Sequence, residues 1–221
     1  MVAGLEEPKR PLRGGITWSW APTDRPWVRL YHRGPRCPEA TFARSFGPLH
    51  RFDHHVPGEG NRRVIYLAER LSTAAFEVWA DLGVAQICPS VRAALLSPTE
   101  EVVAQNLRGQ GAIMVGARPS LGSGGEPRAL TQAWARAIYE DRPGGPRVAG
   151  VRYSSAHDES PCLALWDSGP ALRVAENRGR NQDFPVVHPS LWPRLLVALA
   201  RIQLPAERID RGECPRCLEQ G

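Results

Sequence analysis

Apolar residues along the chain fall into short runs that predict strands and into longer periodic segments that predict helices. The runs WVRLY and VIYLA are typical of buried strands, because they are short, apolar and bounded by polar or turn-forming residues. Strands are predicted at 27–31, 64–68, 85–95, 111–119, 148–155 and 162–166, and helices at 73–82, 128–142 and 190–204. They alternate without a regular strand–helix–strand rhythm, which favours an α+β fold.

The remaining segments predict loops and set the domain boundaries. Residues 1–26 are rich in proline, glycine and charge, which predicts an irregular N-terminal arm whose tryptophans, Trp18 and Trp20, dock on the domain. Residues 32–63 and 116–127 are also predicted to be loops. The adjacent histidines 54 and 55 are expected to be exposed there. We therefore assign a main domain to 27–205 and a C-terminal tail to 206–221.

Composition narrows the class of protein. The chain has 221 residues, of which 42% are hydrophobic and 23% charged, as in ordinary globular proteins. No apolar run approaches the about 20 residues of a membrane span, and no apolar signal region opens the chain, so a cytoplasmic protein is expected. The net charge is +5, but Lys9 is the only lysine and the arginines are dispersed. We therefore do not expect direct nucleic-acid binding.

The cysteines do not predict a disulfide framework or a metal site. Cys37, Cys88 and Cys162 are scattered, and Cys214 and Cys217 form the motif CPRC near the end of the chain. A four-coordinate structural zinc site needs two ligands beyond one CxxC pair, and the sequence has no second CxxC. The expectation is an exposed tail with two thiols, and no metal.

Several polar residues lie within stretches that otherwise form strands or helices. They are Arg29, Arg51, Tyr66, Glu77 and the pair Ser154 and Ser155. Each has an ordinary structural explanation by itself: an edge-strand charge, a solvated helix carboxylate, a core aromatic with a satisfied hydroxyl, or a turn. In the predicted helix 73–82, Glu77 and Asp81 fall opposite the apolar face.

Taken in order, these residues resemble the RES domain, a family named for its Arg, Glu and Ser. The pieces that carry the resemblance span about 27–175, and they read VRLY (28–31), HRFD (50–53), YLAERLSTAAFEV (66–78), AGVRYSS (149–155) and LALW (163–166). The YLA block is the most specific piece. In the loop piece, His50 replaces the glycine that commonly precedes the arginine, and the aromatic residue is Phe52.

The resemblance implies a fold and an activity. The fold would be compact and related to ADP-ribosyltransferase toxins, with a mixed, mainly antiparallel sheet and flanking helices. The protein would consume NAD+ as a substrate, without a further cofactor, as the toxin of a RES–Xre toxin–antitoxin pair. A separate antitoxin would carry the DNA-binding part and cover the active site, and a homodimer is left open.

The residue types suit cleavage of the nicotinamide–ribose bond. The reaction passes through an oxocarbenium-like ribose, and the pyridinium leaving group needs no general acid. A carboxylate is required to stabilise the positive charge, which predicts a catalytic role for Glu77. Guanidinium groups suit the pyrophosphate, which assigns Arg29 and Arg51.

Aromatic and hydroxyl groups complete the predicted site. Tyr66, with Tyr31 as a second candidate, would provide a platform for nicotinamide. Ser155, in the Y-x-S position, would orient nicotinamide or ribose, with Ser154 as the alternative. Tyr66 at the end of a strand and Glu77 in the following helix would then face one cleft.

Three functions remain open at this point. The first is an NAD+ glycohydrolase or phosphorylase, which transfers ADP-ribose to water or to phosphate. The second is a protein ADP-ribosyltransferase on the same fold, with a protein as the acceptor. The third is a binding module without catalytic activity.

Overall fold

The computed structural model describes residues 6–219 except 13, 57, 59 and 167–171. Within the described residues the strands are β1 (Thr17–Trp20), β2 (Trp27–His32), β3 (Val64–Ala68), β4 (Ala85–Ile87), β5 (Val91–Pro98), β6 (Val102–Asn106), β7 (Val148–Ser154), β8 (Pro161–Trp166), β9 (Leu172–Val174), β10 (Glu176–Asn177), β11 (Arg180–Asn181), β12 (Asp183–Pro185) and β13 (Ala206–Arg208). The helices are α1 (Leu71–Trp79), α2 (Gly111–Met114), α3 (Ser120–Ser123), α4 (Arg128–Asp141), α5 (Trp192–Ala200) and α6 (Pro215–Leu218).

The chain divides into two units. The first unit comprises the described residues among Met1–Asp24, Ala43–Tyr66 and Pro98–Ala171, and the second those among Arg25–Phe42, Leu67–Ser97 and Leu172–Gly221. Strand β3 supplies residues to both, because the boundary falls after Tyr66.

The strands of the first unit follow the order β1, β6, β7, β8 and β3. β1 is antiparallel to β6, β6 is parallel to β7, and β7 is antiparallel to β8. All six residues of β8 are buried, as its continuous apolar run predicts for a strand covered on both faces. Gly150 allows β7 and β8 to approach, because a Cβ atom there would lie 2.2 Å from the carbonyl oxygen of Ala164.

The strands of the second unit follow the order β3, β2, β5 and β12, with β9 also paired to β5. β2 is antiparallel to β3 and to β5, and β4 forms a separate parallel pair with β13. Helix α1 packs against β2 and α5. The hydrophobic core of the second unit contains Trp79, Ile87, Leu195 and Leu199, because their segments turn one apolar side inward.

The predicted α+β fold with a mixed, mainly antiparallel sheet is confirmed, and several local predictions are wrong. Residues 111–119, predicted as a strand, begin with helix α2, and α3 lies in the predicted loop 116–127. In α2, Ala112 is buried while Ile113 and Met114 are exposed, and Val115, directly after the helix, is buried. That spacing is helical, and a short apolar run does not distinguish the two structures by itself.

Within the described residues, the N-terminal and C-terminal segments also contain more secondary structure than the sequence suggests. The N-terminal segment contains β1, whose Trp20 is fully buried. The C-terminal segment contributes β13 and α6, and Cys214 is buried in the core of the second unit. No helix among the described residues has the length and apolar character needed to cross a bilayer.

Candidate functional site

The six predicted site residues fall into two groups, one in each unit. Arg51, Tyr66 and Ser155 belong to the first unit. Arg29, Tyr31 and Glu77 belong to the second. In the first unit these residues lie on or beside strands β3 and β7 and in the loop before β3. In the second unit they lie on strand β2 and helix α1.

In the first unit, Asp53 organises the loop that carries Arg51. Its carboxylate is fully buried and accepts several hydrogen bonds. The Arg44 guanidinium donates two, at 2.6 and 2.7 Å, and the His50 backbone amide donates one at 3.0 Å. The Leu49 amide donates as well. Burial would raise the pKa of Asp53, but these bonds from Arg44, Leu49 and His50 outweigh burial and hold the pKa below its ordinary value.

Tyr66 is fastened to the same loop through its hydroxyl group. The hydroxyl donates to Asp53 Oδ1 at 2.8 Å and accepts from the Phe52 amide at 3.0 Å. Burial, followed by the charge of Asp53, raises the pKa of Tyr66 well above its ordinary value. The ring meets His50 edge-on at 5.4 Å between centroids. Through its hydroxyl group, Tyr66 therefore positions the loop that carries Arg51.

The guanidinium group of Arg51 contacts Phe52 of this loop and Tyr153 of strand β7. Its guanidinium carbon is 5.2 Å from the centre of the Phe52 ring and 5.3 Å from that of Tyr153, and its Nη2 donates to the Leu121 carbonyl at 3.3 Å. Among the described residues, its Nε and Nη1 are buried without a hydrogen-bond partner. Buried N–H groups are costly when unpaired, so this guanidinium has unused capacity for an acceptor.

Ser155 and Ser154 occupy different surroundings at the end of β7. Ser155 is fully buried and accepts a bond from the His157 amide at 3.2 Å, whereas Ser154 accepts one from Arg108 Nε at 2.9 Å. The turn after Ser155 is close to Arg51: a Cβ atom on Gly124 would lie 2.6 Å from the Ala156 Cβ and 3.4 Å from Arg51 Nη1. Only glycine fits at 124, which also has a φ of +100°.

In the second unit, Arg29 and Tyr31 follow each other on one face of β2. Arg29 is buried, donates to the Ala40 carbonyl and contacts Cys37 Sγ at 3.6 Å. Its guanidinium carbon is 5.4 Å from the centre of the Tyr31 ring. The cation is therefore held against an aromatic ring, which restricts its orientation.

The Tyr31 hydroxyl is part of a network that joins β2, β5 and β12. It donates to Asp183 Oδ2 at 2.7 Å, and Arg92 Nε donates to Asp183 Oδ1 at 2.8 Å. Burial, followed by the hydrogen bond to Asp183, raises the pKa of Tyr31 to about 12. The hydroxyl thus stays protonated and holds the three strands together.

Glu77 lies on the exposed side of helix α1. The helix buries Thr73, Ala74, Ala75, Phe76 and Trp79. The helix begins at Leu71, two residues before the predicted start, and ends at Trp79, so Leu82 lies outside it and is exposed. Glu77 is exposed next to buried positions, and Asp81, predicted to share its side of the helix, lies beyond the helix end.

Two features of the first unit were not expected from the sequence. Asp53 was not singled out, because its partner Arg44 lies in an irregular segment where no periodic pattern marks a buried pair. His54 and His55, expected to be exposed, are fully buried. The His54 ring packs 4.4 Å from Tyr139 and 5.2 Å from Trp166, measured between centroids, so aromatic partners distant in sequence cover it.

Comparisons with known proteins identify the class. The RES domain model matches residues 26–187, so the chain belongs to the RES domain family. Its fold is similar to that of a chain in the crystal structure of the M. tuberculosis MbcT–MbcA toxin–antitoxin complex. The TM-score is 0.53 at 18% identity, covering 84% of this chain and 93% of that chain. A comparison with curated protein sequences gives no match.

Proposed function

We propose that this protein consumes NAD+ by cleaving the bond between nicotinamide and ribose, with water or phosphate as the acceptor. The observation that carries the proposal is the Arg51 guanidinium, which has two buried nitrogen atoms without a hydrogen-bond partner among the described residues. Diphosphate oxygens are suitable acceptors for these N–H groups. Membership of the RES domain family over 26–187 supports the same substrate.

The roles of the other residues follow from their chemistry and from the family resemblance. Glu77 would stabilise the positive charge that develops on ribose as the nicotinamide bond lengthens. Arg29 would share the charge of the pyrophosphate. Ser155 would orient nicotinamide or ribose, and the rings of Tyr66 and Tyr31 would offer apolar faces for the base.

We further propose that the protein acts as a toxin restrained by a separate antitoxin. The structural neighbour comes from a toxin–antitoxin complex, which supports a partner of this kind. An enzyme that destroys NAD+ would harm the cell that makes it, so a protein that covers the active site would be needed. Expression of the wild-type chain should lower cellular NAD+, and expression of Glu77→Gln should not.

The first experiment measures NAD+ loss and nicotinamide release by the purified protein, with and without phosphate. Glu77→Gln should lower the rate by about 10²–10³-fold, as removal of one electrostatic stabiliser does. Arg51→Met should raise KM by roughly 10–150-fold, the loss expected for hydrogen bonds to a charged group. The control variants are Glu101→Gln and Arg147→Met, which break an exposed ion pair with 3.4 Å between its atoms.

The outcomes separate the open functions. A phosphate-dependent rate identifies a phosphorylase, and a phosphate-independent rate a glycohydrolase. Label transferred from NAD+ to proteins of a cell extract would identify an ADP-ribosyltransferase instead. If the wild-type protein releases no nicotinamide under any of these conditions, the enzymatic proposal is abandoned in favour of a binding module. If Glu77→Gln retains full activity, the role given to Glu77 is wrong.

A further inference from the structure

Four potential metal ligands from three separate segments of the sequence meet in the second unit. His32 ends β2, Cys88 directly follows β4, and Cys214 and Cys217 lie at the start of α6. His32 Nε2 is 3.5 Å from Cys88 Sγ, 3.6 Å from Cys214 Sγ and 3.3 Å from Cys217 Sγ. Cys88 Sγ and Cys217 Sγ are 3.7 Å apart, and the four atoms all lie within 4.8 Å of one another.

The four distances between 3.3 and 3.7 Å are close to those of a tetrahedron around a zinc ion. With Zn–S bonds of about 2.3 Å and Zn–N bonds of about 2.0–2.1 Å, tetrahedral angles place two sulfurs about 3.8 Å apart, and sulfur and nitrogen about 3.5 Å apart. We propose that His32, Cys88, Cys214 and Cys217 bind one Zn²⁺ ion in a closed Cys₃His site. Four protein ligands leave no open coordination position, so the site is structural and not catalytic.

The burial of the cluster supports a metal. His32, Cys88 and Cys214 are buried, and Cys217 is half-buried. Among the described residues, His32 Nδ1 is buried without a hydrogen-bond partner, and Nε2 faces the three sulfur atoms. Sulfur is a weak hydrogen-bonding group, so the imidazole would be poorly compensated for burial without an ion.

Charge and protonation are consistent with this site. Binding converts three thiols into thiolates and releases three protons, and the neutral imidazole donates its lone pair to the ion. The filled site then carries a net charge of −1. Arg211 and Arg216 lie near His32. The same two guanidinium groups would balance the excess negative charge.

The ion would hold the C-terminal segment in the second unit. Ligands at positions 32 and 214 are separated by 182 residues of chain, and the metal joins them directly. The parallel pairing of β4 with β13 and the burial of Leu204 bring the same segment to the same place. This proposal replaces the sequence-based expectation of no metal and an exposed CPRC tail.

The test is the metal content of the full chain, measured by mass spectrometry after purification and again after dialysis against Zn²⁺. About one zinc ion per chain is expected. Cys88→Ser and Cys214→Ser should lose the ion, and Cys162→Ala should keep it, because Cys162 is an equally buried cysteine of the first unit. Replacing zinc with Co²⁺ should give the visible bands of a tetrahedral thiolate site in the wild-type protein, which gives a result even where a variant does not fold.

Stability supplies a second measurement. Removing the ion with a chelator should lower Tm by roughly 8–16 °C, the shift for removing a ligand present at about 1,000 times its Kd from a chain of this size. Returning Zn²⁺ should restore Tm. Three results would each overturn the proposal: wild-type protein that takes up no zinc, a mass showing a disulfide between Cys88 and Cys217, or Cys214→Ser that retains both zinc and Tm.

Discussion

Replacing Asp53 by asparagine tests whether this residue anchors the loop that carries Arg51. The carboxylate is completely buried, and the side chain of Arg44 is 14% exposed, so the pair is shielded from water. Breaking a buried pair by removing one charge costs about 3–5 kcal/mol, because the other charge stays buried and uncompensated. For a chain of this length, that loss should lower Tm by roughly 6–20 °C.

Urea unfolding followed by tryptophan fluorescence measures the free energy of unfolding, and thermal scans give Tm. The matched control is Glu101→Gln, which removes one charge from an exposed ion pair of the same unit. That change should cost less than about 1 kcal/mol. If Asp53→Asn costs no more than Glu101→Gln, the anchoring role of Asp53 is wrong.

A double-mutant cycle adds the contribution of Tyr66. Tyr66→Phe removes the hydroxyl that donates to Asp53 and accepts from the Phe52 amide. The two substitutions should be non-additive by about 0.5–3 kcal/mol, because both act on one hydrogen-bond network. Strict additivity would contradict the network. Since Arg51 precedes Phe52, both variants should also raise KM for NAD+ if the proposed function holds.

The remaining predictions concern the second unit. The pKa of Tyr31 is raised from 10.0 to about 12, so its hydroxyl stabilises the folded state below pH 10, and this stabilisation is lost as pH rises to 12, because the unfolded chain ionises first. Urea unfolding between pH 9 and pH 12 should show this decline in the wild type, and Tyr31→Phe should flatten it; equal slopes would contradict the shift. On helix α5, Leu195→Ala should cost about 2–5 kcal/mol, because Leu195 is 1% exposed. Val197→Ala, at a position 60% exposed, should change the free energy of unfolding by no more than about 0.5 kcal/mol; similar losses at both positions would refute the orientation of the helix.

Local sequence determined the elements whose signal is contained in a few residues. β3 and β8 are continuous apolar runs, and α4 is a long periodic segment ended by Pro143 and Gly144, so each could be recognised without its neighbours. The order of the RES motifs likewise identified the family, because the YLA block and the following helix are adjacent in sequence. Pairing partners that lie far apart left no such signal: β1 (Thr17–Trp20) gains its strand structure from β6.

Tertiary structure decided which polar groups meet. Asp53 becomes the acceptor of five donated hydrogen bonds from Arg44, Leu49, His50 and Tyr66 only when the loop closes on β3. His32 and Cys88 join Cys214 and Cys217 because the parallel pairing of β4 with β13 returns the end of the chain to β2. An isolated histidine or cysteine cannot be recognised as a metal ligand from the sequence, because coordination depends on distances that only the packed strands establish.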